Sequence, residues 1–327
     1  VARGARLTGF GVPNIVAFEM TLRILTGVAT ALVAASAHGQ TAISLGTATP
    51  GGGFPLYGAA FADVVNANEP TLRIEPRNTK GSTENVPLLE SGGLDIALVQ
   101  GEVANPVLAK ADTPLRIITA MYSSPGMFVV RGDSPYRTIA DLRGRPVALG
   151  AQGSGLTILG RNVLAAIGID PDRDIQAIYL DRAGDGPAMV LDGRAAALWG
   201  AGVGWPGFTA VAKAGGRFIA PDAEEMKRIL AQQSFLKPMT IPAGSYPGQD
   251  AAIATVGSWS FVLARPGLPD DVAFRIARAL HKGEAALGSR LAQARETTAA
   301  NTVAAVPRAD LIHPGVAKYL REAGVLR

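Results

Sequence analysis

Beyond residue 40 the chain alternates short β-branched or apolar runs with stretches whose apolar positions recur at helical spacing. This pattern predicts strands at 42–45, 72–75, 95–99 and 115–121, with helices near 57–66 and 85–91 between them. The rhythm then restarts, with strands at 145–149, 175–179, 195–199 and 217–219 and helices near 156–167, 186–191, 208–213 and 223–232. Such alternation reads as α/β, each half built on a largely parallel sheet. Between the halves, Phe128-Val129-Val130-Arg131-Gly132-Asp133-Ser134-Pro135 is a strand running into a polar break, and a long apolar strand at 251–263 follows the second half. These two strands can carry the chain across and back, so that the helix around 270–281 rejoins the first half. The expected organisation is a first lobe at 40–131 and 255–327 with a second lobe at 132–254 inserted into it, the pair closing about 128–134 and 249–257.

The segment before residue 40 follows a different pattern. Met20-Thr21-Leu22-Arg23 leads into an uncharged run at 24–35, followed by Ala35-Ser36-Ala37 and the polar His38-Gly39-Gln40. A basic start, a short apolar core and an A-x-A step fit a secretory signal peptide. Residues 1–39 are expected to be that signal with an upstream extension, and the mature protein to be periplasmic. No segment offers the ~20 apolar residues of a membrane helix.

Composition removes several classes of function. With 48% hydrophobic and 18% charged residues in 327, the chain can bury substantial cores and is not disordered. A net charge of +4 without a block of basic residues lacks the footprint of a nucleic-acid binder. The absence of cysteine excludes disulfides, thiolate metal sites and cysteine nucleophiles.

In open α/β sheets ligands sit at the carboxyl ends of strands, so the loops there are the ones to inspect. The first, after the strand at 42–45, contains Gly51-Gly52-Gly53-Phe54-Pro55-Leu56-Tyr57. Gly52 and Gly53 let backbone N–H groups face a ligand, and Phe54 and Tyr57 can supply apolar walls or belong to a core. The second, Thr79-Lys80-Gly81-Ser82-Thr83-Glu84-Asn85, offers Ser82 or Thr83 as a helix N-cap beside Gly81. The third, Gly150-Ala151-Gln152-Gly153-Ser154-Gly155-Leu156-Thr157, opens the first helix of the second lobe, placing Gly153, Ser154, Gly155 and Thr157 opposite the second loop across a cleft.

These loops and their neighbours carry a resemblance. Gly51-Gly52-Gly53-Phe54-Pro55-Leu56-Tyr57-Gly58, Lys80-Gly81-Ser82-Thr83-Glu84-Asn85 with Leu89-Glu90-Ser91-Gly92, Asp95-Ile96-Ala97-Leu98-Val99-Gln100, and Asp141-Leu142-Arg143-Gly144 with Gly153-Ser154-Gly155 resemble the TAXI family of extracytoplasmic solute receptors of TRAP transporters. Tyr246-Pro247-Gly248-Gln249 and His313-Pro314-Gly315 extend the match along the chain. The resemblance implies a bilobed periplasmic-binding-protein fold, type II-like. It also implies closure on a small solute, here a carboxylate, and delivery to TRAP membrane permease subunits, with no cofactor, no catalysis and no nucleic acid. Gln100 joins the expected ligand contacts on the same ground, and a monomer is expected.

Other residues are weighed alongside. Trp199 and Trp205, in the glycine-rich stretch Trp199-Gly200-Ala201-Gly202-Val203-Gly204-Trp205-Pro206, can stack on a ligand or pack in a core. Tyr246 can gate the pocket or plug the hinge. Arg182 can pair with a ligand carboxylate or be neutralised by Asp181 or Asp185. Free N–H groups near 81–82 and 153–154 favour a small organic anion such as a dicarboxylate, an oxo acid or an acidic amino acid. A secreted α/β hydrolase is the competing class, but no G-x-S-x-G elbow occurs and 40–280 contains no histidine. His281 and His313 lack ligand-like spacing and read as surface or helix-end residues.

Overall fold

The computed structural model describes Val1 and residues 40–327; the expected signal segment lies outside the described residues. Chain 41–327 is an α/β body organised on a ten-stranded sheet. β1 (Thr41–Gly46), β2 (Leu72–Arg77) and β3 (Ile96–Val99) run parallel, connected by α1 (Gly53–Asn68) and α2 (Ser82–Glu90). After α3 (Gly101–Leu108), the fifteen-residue β4 (Arg116–Val130) leaves this group and reaches the second lobe. There it is followed by β5 (Pro146–Gly150), α4 (Gly155–Ala166), β6 (Gln176–Tyr179), α5 (Gly186–Leu191), β7 (Ala197–Ala201), α6 (Pro206–Lys213), β8 (Arg217–Ile219) and α7 (Ala223–Gln232). β9 (Lys237–Ile241) leads into β10 (Ile253–Ala264), which returns the chain to α8 (Asp270–Arg290), α9 (Ala299–Ala305) and α10 (Pro314–Glu322). The strand order is β2-β1-β3-β10-β4-β7-β5-β6, with β8 added on β4 and β9 on β10.

The order explains the apolar runs. β3, whose four residues are all buried, and most of β4 are covered on both faces, so they read as continuous hydrophobic stretches. In the first lobe Phe61, Val65, Ile276 and Leu280 pack one face of the sheet, and Leu89, Leu108 and Phe261 belong to the cluster on the other. In the second lobe Leu159, Val163, Trp199 and Ile229 form one cluster and Leu198, Phe208, Val211 and Tyr246 another.

β4 pairs with β10 up to Pro125↔Gly257 and with β7 from Gly126↔Ala201, so the chain changes lobes at 125–126. The segment from 128 onward, expected to be part of the hinge, already lies in the second lobe's sheet, where Phe128 pairs with Trp199 and Ile219. The strands expected at 115–121 and 128–130 are one strand, because the polar Ser123-Ser124-Pro125-Gly126 interruption stays extended while its edge partner changes. His313 is buried rather than on the surface: it caps α10, with Gly315 N–H donating to Nδ1 at 3.2 Å and Nε2 3.0 Å from the Leu268 carbonyl. Burial lowers its pKa. His281 sits half-buried within α8, with Nδ1 2.8 Å from the Tyr319 hydroxyl.

Candidate functional site

The carboxyl ends of the parallel strands and the start of α3 deliver five helix N-termini to one place. The N-cap residues Gly52 of α1, Gly81 of α2, Gln100 of α3, Ser154 of α4 and Trp205 of α6 all line a cavity of about 70 Å³ between the lobes. Each helix start leaves backbone N–H groups without an intrahelical acceptor and carries partial positive charge. Only at Ser154 does the cap side chain accept one of them, from Thr157 N–H at 3.2 Å; at the other four no cap side chain does.

Glycine is required where this geometry is tightest. Gly81 has φ +109°, and a Cβ on Gly155 would lie 2.5 Å from Cβ of Gln100 and 3.0 Å from the Ser82 hydroxyl. The lobes are therefore in direct contact. The Thr83 hydroxyl donates across the seam to the Gly153 carbonyl at 2.5 Å, and Gly51 faces Gly184 beside it.

Of the residues singled out in the sequence, Gly52, Gly53, Phe54, Gly81, Ser82, Gln100, Ser154, Gly155 and Trp205 line the cavity. Ser82 and Thr83 do not cap α2, as expected of one of them; Gly81 does, which frees the Ser82 hydroxyl to accept Gln100 N–H at 3.0 Å and Thr83 to bridge the lobes.

Tyr57, Thr157, Trp199 and Tyr246 stand behind the wall instead of in it. Tyr57 is fully buried, its hydroxyl 3.2 Å from that of Thr297, which donates in turn to the Met121 carbonyl. The Thr157 hydroxyl contacts the carbonyls of Leu149 (3.1 Å) and Ala151 (2.7 Å), holding the third loop. Trp199 packs on Phe128 and its indole N–H donates to the Leu156 carbonyl at 2.8 Å, fixing the start of α4. The Tyr246 hydroxyl donates to the Gly202 carbonyl at 2.6 Å and accepts Trp205 N–H at 3.2 Å, so it orients the loop that carries Trp205. Burial raises the pKa of both tyrosine hydroxyls, which stay protonated. Arg182 is exposed next to the lining residue Ala183 and is not part of the wall.

The sequence reading missed Tyr122, Ser124 and Gln293, all on the cavity wall. Tyr122 stacks edge-on against Phe54 and Tyr57. Gln293 comes from the short 3₁₀ turn Ala292–Glu296, which Glu296 anchors by accepting the Ser123 N–H and hydroxyl. None of the three sits in a glycine loop, so no local signal marked them. Among the described residues no lysine, arginine, histidine, aspartate or glutamate lines the cavity. Among the described residues there is no cluster suited to a metal ion and no helix long and apolar enough to cross a membrane.

Comparison with known proteins adds two findings. Residues 45–324 match the model of the NMT1-like family. Among solved structures, a protein from Bordetella bronchiseptica RB50 is 13% identical and aligns over 87% of this chain and 98% of its own, with a TM-score of 0.54. A structure described as a periplasmic transporter is 17% identical, over 79% and 88% of the two chains, with a TM-score of 0.52. The periplasmic aliphatic sulphonate binding protein SsuA from Escherichia coli is 20% identical over 86% and 83%, with a TM-score of 0.46. The fold is bilobed α/β, type II-like, and is shared with the Bordetella bronchiseptica protein and the periplasmic transporter structure.

Proposed function

The chain belongs to the NMT1-like family, and from that premise we propose that it is an exported, non-catalytic receptor that closes its lobes on a small organic anion. In this reading the loaded receptor docks on a membrane permease. The TAXI resemblance of the glycine loops supports a permease of the TRAP type. The boundaries expected near 131 and 254 lie within a few residues of the change of strand partner at Pro125–Gly126 and Gly257, and the same proposal divides the lobes there.

The observation that carries it is the convergence of five helix N-termini on a cavity with no charged side chain among its described lining residues. Such a site presents partial positive charge and N–H donors, which favour carboxylate or similar oxygens over cations. Closure follows because a solute in the cavity touches both lobes only when they meet, so it shifts the population toward that state.

Mass spectrometry of solute retained through gentle purification, followed by calorimetry with that solute, tests the reading. Ser154→Asp keeps a good N-cap residue while putting a carboxylate at the cavity. The expected loss of affinity is about 1–3 kcal/mol, the scale of a lost charge-assisted hydrogen bond. A retained cation, or unchanged affinity in a folded Ser154→Asp protein, would refute the placement of the anion.

A further inference from the structure

Two glutamine side chains on the cavity wall have polar atoms that make no full hydrogen bond. Gln100 is 6% exposed and its Nε2 makes no full hydrogen bond, only a weak interaction with the buried Glu102 carboxyl; Gln293 is 3% exposed and its Oε1 has no partner. Buried amide atoms are nearly always paired, so two such atoms on one wall mark groups that a solute satisfies. Both sit on the seam: Gln100 packs against Gly155 of the opposite lobe, and Gln293 lies between Gly53 of the first lobe and Gly202 of the second. Tyr122 lines the same cavity.

The wall chemistry restricts what can lie there. Helix N-termini can neutralise a carboxylate that reaches them, but a second carboxylate placed at the two glutamines would be withdrawn from water against neutral amides, with no cation among the described lining residues to compensate. An ammonium group would likewise find no carboxylate. A primary amide offers both a donor and an acceptor, so the two glutamines match a neutral group that does the same. Building on the anion-receptor reading, we propose that the solute is a singly charged acid whose second polar function is neutral, an amide, hydroxyl or keto group held between Gln100 and Gln293, and that dicarboxylates and amino acids are refused.

Calorimetry on the purified, dialysed protein with length-matched pairs provides the test: malonamate against malonate, succinamate against succinate, and glutaramate against glutarate. For at least one length the amide acid is expected to bind at least about tenfold tighter than the diacid, a ratio corresponding to ~1.4 kcal/mol. Gln293→Met, which removes the amide at similar volume, is expected to cut that preference below about threefold while the circular dichroism and melting profile stay native. Gln100→Met gives the same readout from the other side of the cavity. Diacids binding as well as or better than their amide partners would overturn this inference and leave the anion-receptor reading standing. Binding of neither series, with a cation or uncharged solute retained instead, would overturn both. A preference that survives in both methionine variants would remove the glutamines from the specificity role.

Discussion

The contact between the lobes can be broken with a single methyl group. In Gly155→Ala the new Cβ would stand 2.5 Å from Cβ of Gln100 and 3.0 Å from the Ser82 hydroxyl. Carbon atoms rest at about 3.5–4.0 Å, so the overlap is about 1 Å, against a backbone-proximal atom that cannot swing aside. Overpacking of this kind costs about 1–3 kcal/mol. The clash exists only when the lobes meet, so the whole cost falls on the closed state and on solute affinity, which should drop by about 5- to 150-fold. Stability without solute should move by no more than about 0.5 kcal/mol, as for other substitutions that disturb no packed core. Gly184→Ala supplies the graded partner. Its Cβ would lie 3.3 Å from Cα of Gly51, a milder intrusion on the same seam and away from the glutamines, and its effect should be clearly smaller. Small-angle scattering with the retained solute should show compaction in the wild type, less in Gly184→Ala and least in Gly155→Ala, with affinities in the same order. Wild-type affinity and full compaction in Gly155→Ala would refute the claim that binding requires this closed arrangement.

Two further outcomes follow from buried groups behind the site. Glu102, fully buried in the first turn of α3, accepts the Ser258 hydroxyl from the returning strand β10 at 2.7 Å, and its other oxygen makes no full hydrogen bond, the carboxyl having otherwise only a weak interaction with the Gln100 side chain. Burial pushes its pKa from 4.5 up to about 7. The folded state therefore binds the proton more tightly than the unfolded chain, so stability is undiminished below pH 4.5 and falls as pH rises to about 7. The cost above that is about 3 kcal/mol. Glu102→Gln should flatten that slope in denaturant titrations between pH 5 and 8 and be the more stable protein at pH 8; parallel pH profiles for the two proteins would contradict the assignment. Tyr246→Phe removes the hydroxyl that joins the Gly202 carbonyl to Trp205 N–H, leaving both buried groups unpaired. A stability loss of about 1–3 kcal/mol is expected, with weaker solute binding as the Trp205 loop relaxes, and a variant with native stability and affinity would show that Tyr246 does not hold that loop.

Much of the architecture was legible because its signals are local. The apolar and β-branched runs found nine of the ten strands, missing β9 at Lys237–Ile241 and reading β4 as two pieces, since a strand covered on both faces must be apolar along its length. The glycine loops were equally visible: a positive φ at Gly81 or a sub-contact Cβ at Gly155 leaves no alternative residue, so the backbone requirement is written into the sequence. The helix at Gly101–Leu108 was missed, and Pro106 lies inside it, where proline removes an intrahelical bond and obscures the helical signal.

Which side chains of those loops face the cavity was decided by tertiary structure. Phe54 and Tyr57 lie three residues apart at the start of α1, yet Phe54 lines the cavity and Tyr57 is buried beneath it against Thr297. Trp199 and Trp205 likewise differ only in where β7 ends: the first is still on the strand and inside the second lobe's core, and the second has passed the turn to reach the wall. Gln293 shows the limit most clearly. It has no motif around it, and it meets Gln100 at one cavity only because β10 inserts between β3 and β4, returning the last part of the chain to the first lobe. Alternation and glycine placement constrain each residue's own backbone, so a sequence displays them directly. Apposition of residues nearly two hundred positions apart depends on strand order and on how the two lobes meet, which no local pattern encodes.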